Sequence, residues 1–175
     1  GDSLGEWALA RGLDVKKSEV HGMAQRGGSV EGHVRLGPRV LSPLIPQGEV
    51  DFLMSLELCE PLRHLGVLRP ETRILVGRQR VLPPVLSLGQ GRYPADQEIL
   101  DELRRHAQEV RDLDLTALAV QACSPKAANV VGLGALSTWM PYPEAAWLTA
   151  IERSLPERLW EVNRRAFALG LSDNG

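Results

Sequence analysis

The 175-residue sequence contains only two cysteines, and this scarcity excludes several kinds of site. Cys59 and Cys123 lie far apart, and neither belongs to a C-x-x-C pair. An ordinary iron–sulfur cluster is held by four thiolates, so this chain cannot ligate one by itself. Two isolated cysteines in a chain of this length indicate reduced thiols in a cytoplasmic protein rather than a disulfide framework.

Long apolar runs and an excess of positive charge are also missing. No stretch approaches the roughly 20 apolar residues that a membrane helix needs, and the first residues lack the apolar region of a signal peptide. The formal net charge is −2 and the isoelectric point is about 6.1, which argues against general nucleic-acid binding. We therefore expect a soluble, cytoplasmic protein that binds neither membranes nor nucleic acid.

Several common catalytic fingerprints are absent as well. The sequence has no G-x-x-x-x-G-K-[ST] loop, no G-x-G-x-x-G loop and no H-E-x-x-H motif. It also lacks the G-x-S-x-G turn of α/β-hydrolases. Nucleotide triphosphatases, dinucleotide-dependent enzymes, zinc proteases and α/β-hydrolases are therefore disfavoured, and no metal site is predicted.

The pattern of apolar residues indicates an α/β protein. Strands are predicted at 14–20, 29–36, 50–56, 72–76 and 111–115, and helices at 2–11, 57–65, 95–109, 116–122, 126–138, 144–153 and 156–169. Gly12 is a candidate helix stop. After the turn signal Gly37-Pro38, residues 39–41 could return as the second arm of a hairpin. We expect one domain over residues 1–175, with a mixed sheet of parallel strands and one antiparallel hairpin.

A glycine-rich loop after the first predicted strand gathers polar side chains. Arg26 could pair with a phosphate or carboxylate through two parallel hydrogen bonds, Gln25 offers a donor and an acceptor, and His21 can titrate near neutral pH. The same loop contains three glycines, Gly22, Gly27 and Gly28. The alternative is a structural loop, and no nucleophile–base pair identifies a catalytic residue.

Three further features have a functional and a structural interpretation. The segment Ser42–Gly48, which reads SPLIPQG, could contact a partner, or it could be a surface loop anchored by Leu44 and Ile45. Asn129 could lie near a ligand, or it could cap a helix or be a core amide. Glu57 and Glu60 could form a carboxylate pair, although a solvated helix face is favoured.

The stretch Ser18 to Gly28, which reads SEVHGMAQRGG, resembles the signature of the small-subunit family of indolepyruvate:ferredoxin oxidoreductases. The resemblance continues in order through most of the chain. Its later landmarks are Ser29-Val30, His33-Val34-Arg35, Ser42 to Pro46 with Gly48, Asp51 to Glu57, Leu62-Arg63, Tyr93-Pro94, Asn129 to Leu136, Ala150 to Glu152 and Asn163 to Phe167.

This resemblance implies a three-layer α/β/α domain like the γ domain of pyruvate:ferredoxin oxidoreductases. Such enzymes decarboxylate a 2-oxoacid on thiamine diphosphate, pass two electrons through [4Fe–4S] clusters to ferredoxin, and release an acyl-CoA. The indolepyruvate type takes arylpyruvates. Thiamine diphosphate, Mg²⁺ and the clusters are expected on a large partner subunit, with CoA as co-substrate and no cofactor on this chain alone. His21, Gly22, Gln25, Arg26, Gly27, Gly28 and Asn129 are then expected near substrate or CoA.

The family pattern begins with a strand and a G-x-G-G-Q-G-type loop ahead of the helix that starts here near Asp2, so we expect this first strand and loop to be lacking. One alternative function is a non-catalytic docking subunit of another 2-oxoacid oxidoreductase, of the pyruvate or 2-oxoglutarate type. A weaker one is a stand-alone small-molecule binding module. Exposed partner surface could also make the isolated chain a homodimer.

Overall fold

A computed structural model describes residues 5, 8–9, 11–21, 30–81 and 92–173. The chain divides into two compact units, Gly1–Pro46 with Tyr142–Trp160 and Gln47–Pro141 with Glu161–Gly175. Two such units can belong to one domain, so the single-domain organisation stays a prediction.

The described elements alternate between strands and helices along the chain. In order they are β1 (Asp14–His21), β2 (Val30–Gly37), β3 (Val50–Glu57), a 3₁₀ helix (Glu60–Val67), β4 (Leu68–Gln79), α1 (Asp96–His106), β5 (Glu109–Leu113), α2 (Leu115–Gln121), α3 (Ala128–Ser137), α4 (Glu144–Arg153) and α5 (Trp160–Ser172), with short 3₁₀ turns at Pro125–Ala127 and Glu157–Leu159.

The described residues Gly5, Ala8 and Leu9 are helical, and this helix ends at Gly12, as predicted. The rest of the helix predicted at 2–11 lies largely outside the described residues. Gly12 has φ +71°, a left-handed conformation that glycine adopts without a steric penalty. Its N–H donates to the Leu9 carbonyl and the Leu13 N–H donates to the Ala8 carbonyl, both at 3.1 Å. These two bonds form a Schellman motif, which satisfies carbonyls at the helix end.

The same unit contains an antiparallel pair, β1 and β2, with Ser18 opposite His33. Val15 and Leu36 lie on one face of the pair and pack against the buried Ala150 of α4. The predicted second arm at residues 39–41 is wrong, because β2 pairs with β1 instead. The N–H of Val40 donates to the carboxylate of Asp14 at 2.9 Å, so it has no ladder partner.

The second unit contains a parallel sheet in the order β3-β4-β5. Among the described residues the hairpin β1-β2 is a separate two-stranded sheet, so the predicted single mixed sheet is wrong. Parallel neighbours need a crossover, and α1 supplies it between β4 and β5. Ile74, Leu75 and Val76 of β4 are fully buried, as expected for a strand that is covered on both faces.

Helices cover both faces of this parallel sheet. Ile74 and Val76 share an apolar cluster with Ile99 and Leu103 of α1. On the opposite face, a Cβ added to Gly132 of α3 would lie 2.8 Å from the sulfur of Met54. The unit is therefore layered as helix, sheet and helix, and α3 is buried almost all round.

The helices α3 and α5 approach each other unusually closely at two glycines. A Cβ on Gly134 would lie 2.1 Å from the Phe167 carbonyl oxygen, and one on Gly170 would lie 1.9 Å from the Val131 carbonyl oxygen. Neither distance is compatible with a side chain, because both neighbours are backbone atoms. The glycines in the predicted helix at 126–138 thus serve helix packing.

Most predicted elements are confirmed, with α4 at the predicted bounds and β4 longer than predicted. The helix predicted at 57–65 is misplaced. Glu57 is the last residue of β3, and a 3₁₀ helix covers Glu60–Val67 instead.

Candidate functional site

The parallel sheet has one edge at which the carboxyl ends of its strands meet. β3 ends at Glu57, β4 at Gln79 and β5 at Leu113, and the three run in one direction. Ligands of α/β sheets bind outside this edge. It is therefore the candidate site of the second unit.

Glu57 is the centre of a hydrogen-bond network at this edge. One carboxylate oxygen accepts from the backbone N–H groups of Cys59 and Glu60, both at 2.7 Å. The other accepts from the Tyr93 hydroxyl at 2.6 Å and from the Val81 N–H at 3.2 Å. A carboxylate has about four acceptor positions, so these donors occupy them. Glu57 links the chain segments at this edge. The predicted solvated helix face is therefore wrong.

The groups around Glu57 are kept in their neutral forms. Burial, and then the hydrogen bond to Glu57, raises the pKa of Tyr93. Burial, and then the charge of Glu57, raises the pKa of the Cys59 thiol. Because the thiolate is the nucleophile of cysteine chemistry, this raised pKa does not mark Cys59 as an activated thiol.

The charged groups at the ends of β4 and β5 are also paired. The Arg78 Nε donates to Asp112 at 2.8 Å. The next acidic residue, Asp114, accepts from the Ala117 N–H at 2.9 Å and caps α2. Arg80 forms a salt bridge with Asp96. These contacts stabilise the edge, and among its described residues, which exclude 82–91, no evident catalytic group remains.

Asn129 lies in the first turn of α3, toward the same edge. Gly132 is near Leu115, which follows the carboxyl end of β5. Trp139, just beyond the other end of α3, donates to Glu109 at the amino end of β5 at 3.1 Å. The helix therefore runs opposite to β5, with its amino end at the candidate site.

The amide of Asn129 is exposed, and the N-cap of α3 is Ala127. Asn129 is therefore neither a helix cap nor a core amide, which were the two structural interpretations. Within the described part of the chain its side chain makes no hydrogen bond. It is the one predicted site residue whose side chain can be located.

The glycine-rich loop belongs to the other unit. His21 is the last residue of β1. The other predicted loop residues, Gly22, Gln25, Arg26, Gly27 and Gly28, lie outside the residues that the structure describes. Their role near substrate or CoA stays a prediction.

One surface feature of the first unit is residues 41–46, which we name the strap. Arg35 of β2 donates to the Ser42 and Leu44 carbonyls, both at 3.2 Å. The Ile45 N–H donates to the Nδ1 of His33 at 3.2 Å. Leu41 is 81% exposed and Leu44 is 51% exposed. The strap is thus held by polar bonds, and Leu44 is not the anchor that was predicted.

Sequence reasoning missed the roles of His33 and Arg35. A signal was present, since the period of two along β2 puts both residues on one face. Only the position of the strap beside that face reveals their acceptor and donor roles.

The residues present do not fit an iron–sulfur cluster. Cys59 lies between β3 and the 3₁₀ helix, and Cys123 follows α2, while the sequence has no further cysteine. Among the described residues, no group of three or more His, Cys, Asp or Glu side chains is arranged to hold a metal. The described helices include none with the length and apolar character needed to cross a membrane.

Comparison with known proteins identifies relatives over nearly the whole chain. A family model described as pyruvate ferredoxin/flavodoxin oxidoreductase matches residues 1–172. Indolepyruvate oxidoreductase subunit IorB of Archaeoglobus fulgidus is 37% identical over 165 residues, which are 93% of this chain and 82% of that protein. The subunit of the same name from Thermococcus kodakarensis is 35% identical over 175 residues, or 96% and 85% of the two chains.

Solved structures share the fold. The γ subunit of a keto/oxoacid ferredoxin oxidoreductase from Geobacter sulfurreducens matches with a TM-score of 0.67 and 20% identity, over 98% of this chain and 87% of that chain. A 2-oxoglutarate:ferredoxin oxidoreductase from Magnetococcus marinus matches with a TM-score of 0.69 and 18% identity, over 99% of this chain and 28% of that one. The predicted α/β class with a γ-type domain is confirmed, and the same fold occurs as a separate subunit and within a longer chain.

Proposed function

Because this chain belongs to the pyruvate ferredoxin/flavodoxin oxidoreductase family, we propose that it is the small subunit of an enzyme that converts an arylpyruvate and CoA to an acyl-CoA. The carboxylate leaves as CO₂, the acyl group is transferred to the CoA sulfur, and two electrons reduce ferredoxin. The observation that carries this proposal is the similarity, over most of both chains, to subunits named indolepyruvate oxidoreductase.

The proposed division of labour follows from the donors that this chain has. Two separated cysteines do not make a cluster site, so the [4Fe–4S] clusters, thiamine diphosphate and Mg²⁺ are assigned to a large partner subunit. Thiamine diphosphate would stabilise the carbanion that decarboxylation leaves. Ferredoxin would meet the assembled complex. We place the complex in the cytoplasm, where thiols such as Cys123 stay reduced.

Within this complex, the loop from His21 to Gly28 and Asn129 are the proposed contributions to substrate or CoA binding. Arg26 would pair with an anionic group of either molecule, through the two parallel hydrogen bonds that its guanidinium offers. Asn129 adds an exposed amide at the amino end of α3. CoA is bound in the solved 2-oxoglutarate enzyme of the same fold, which supports CoA as the co-substrate.

The proposed role of Arg26 is tested by Arg26→Ala in the two-chain enzyme. A lost charged hydrogen bond should raise the Michaelis constant for CoA or the 2-oxoacid by at least about tenfold. Arg158→Ala is the matched control, because Arg158 is an exposed arginine outside the loop. Unchanged Michaelis constants for both molecules in Arg26→Ala would contradict this role.

A second candidate function, docking without any contribution to chemistry, is favoured by the strap. Exposed leucines on a segment held by three side-chain hydrogen bonds are pre-organised for an apolar pocket on a partner. Because such a segment is already ordered before binding, it loses little conformational entropy when it binds.

Co-purification of the two chains separates the candidates. If the strap docks the partner, Leu44→Ser should weaken the complex, while Val120→Ser, at a valine that is 54% exposed, should not. A complex that survives both strap substitutions, Leu41→Ser and Leu44→Ser, would rule out docking through the strap. Loss of assembly in Arg26→Ala would instead make the glycine-rich loop a docking element.

A further inference from the structure

His33 holds the strap through one of its two ring nitrogens. Nδ1 lies 3.2 Å from the Ile45 N–H, and Nε2 lies 2.9 Å from a carboxylate oxygen of Glu31. The side chain of His33 is only 17% exposed. The ring is thus fixed between a backbone donor on the strap and an acceptor on its own strand.

This geometry is compatible with only one protonation state of His33. A backbone N–H can only donate, so Nδ1 must be the acceptor and the ring proton must be on Nε2, toward Glu31. Protonation of the ring would put a second N–H on Nδ1, directly facing the N–H of Ile45. Two donors cannot share a hydrogen bond, so the contact between His33 and the strap would be lost.

We propose that His33 is a pH-dependent latch, which holds the Ile45 end of the strap when neutral and releases it when protonated. Histidine is the side chain whose charge ordinarily changes between about pH 5 and pH 8. The latch is a property of this chain by itself. Its use to regulate assembly rests on the proposed docking function.

The charged groups around His33 have both signs. Glu31 on β2 lies 2.9 Å from Nε2. Arg35 is on the same strand, and Lys16 is on β1, two residues from the facing Ser18. Lys16 is itself paired with Asp14 at 3.2 Å. The strap itself, which reads LSPLIP, contributes no titratable side chain.

Release should be confined to one end of the strap. Arg35 stays charged at all relevant pH values, so its bonds to the Ser42 and Leu44 carbonyls persist. The bond from Val40 to Asp14 also persists, because its acceptor is a carboxylate whose pKa is lowered by that same bond. The strap should therefore open from Ile45 and Pro46 while remaining tied at Leu44.

Amide hydrogen exchange of the full chain tests the latch. The protection factor of the Ile45 amide, which corrects for the intrinsic pH dependence of exchange, is measured from about pH 8 to about pH 5. We expect it to fall by roughly five- to tenfold, the weight of one hydrogen bond. The amides of Val40, bonded to Asp14, and Gly48, bonded to the Val67 carbonyl at 3.0 Å, serve as references that stay protected.

Two substitutions at His33 sharpen the test. His33→Asn keeps an acceptor at the position of Nδ1 without a titratable charge, so Ile45 should stay protected at both ends of the pH range. His33→Leu should leave it unprotected at both.

His106→Asn is the matched control, since His106 is on α1 and its ring contacts Glu102. It should leave the response of Ile45 unchanged. Equal protection of Ile45 across the range in the unsubstituted chain would overturn the latch, as would a pH response that persists in His33→Asn. The exchange experiment uses this chain without a partner, so it tests the latch alone. Docking is tested separately by co-purification, so failure of one can be told from failure of the other.

Discussion

The Glu57 network and the strap are both held by side-chain acceptors of backbone N–H groups, but they differ in how firmly they are held. In both, side-chain acceptors capture backbone N–H groups that have no ladder partner. Glu57 binds the N–H groups of Cys59 and Glu60 and the Tyr93 hydroxyl beside an apolar cluster that includes Leu58. On the strap side, Asp14 and His33 each accept one N–H at a partly exposed surface.

The difference lies in the number of bonds per acceptor, because the bonds on both sides are partly buried. Several bonds on one carboxylate make a network in which each donor reinforces the others. A single bond has no such reinforcement and depends on the charge of its own acceptor. We therefore expect the parallel-sheet unit to be a rigid scaffold, and the strap on the hairpin unit to be a surface that changes with pH.

The largest loss of stability in the parallel-sheet unit is expected where α3 packs against α5. Gly170→Ala would drive a methyl group into the Val131 backbone, so we expect the free energy of unfolding to fall by about 3 kcal/mol. Gly66→Ala is the control, because nothing lies within 4 Å of a Cβ there. Equal denaturation midpoints for the two variants would show that the helices can separate without cost.

The Glu57 network comes next in expected effect. Glu57→Ala removes the acceptor of three backbone N–H groups, those of Cys59, Glu60 and Val81, which should lower the free energy of unfolding by about 2 kcal/mol. Tyr93→Phe removes one donor and should cost about 1 kcal/mol. The control is Glu71→Ala, at an exposed position on β4. If the two effects add fully in the double variant, the network does not act as a unit.

The hairpin unit should respond to acid through Asp14. The hydrogen bond from the Val40 N–H lowers the pKa of Asp14 below its ordinary value of 3.8, so the bond stabilises the folded state above that value. This stabilisation is lost as the pH falls through the lowered pKa. The difference in thermal midpoint between the unsubstituted chain and Asp14→Asn should shrink from about pH 6 to about pH 3. A constant difference would contradict the assignment.

The smallest stability effect is expected on the strap itself. Leu44→Ser changes a side chain that is 51% exposed, so the free energy of unfolding should change by less than about 0.5 kcal/mol. Chemical denaturation of the isolated chain checks this. A larger loss would mean that Leu44 packs within the chain and is not available to a partner.

The alternation of elements could be predicted from the sequence because each buried strand is a short apolar run. Ile74 to Val76 is such a run, and α4 has a clear helical period. The misplaced helix at 57–65 shows where local patterns fail. Glu57 ends a strand because it pairs with Gln79 of β4, and local periodicity in the sequence does not contain such a long-range pairing.

The site was predictable only in outline. Asn129 is exposed and lies toward the carboxyl-end edge of the parallel sheet, and its place near a ligand stays a prediction. The polar anchoring of the strap was not foreseen, because Leu44 and Ile45 read as apolar anchors when the neighbouring strand is unknown. The pairing of β2 with β1 puts His33 and Arg35 beside the strap, and pairing is a long-range property.

The proposed two-subunit enzyme is tested most directly by an anaerobic assay of this chain, the candidate large subunit and their mixture. Reduction of a viologen dye is followed with indolepyruvate and CoA, each also omitted in turn. We expect dye reduction that requires both chains, the 2-oxoacid and CoA. Full activity of the large subunit alone, or a stable two-chain complex inactive on every 2-oxoacid offered, would contradict it.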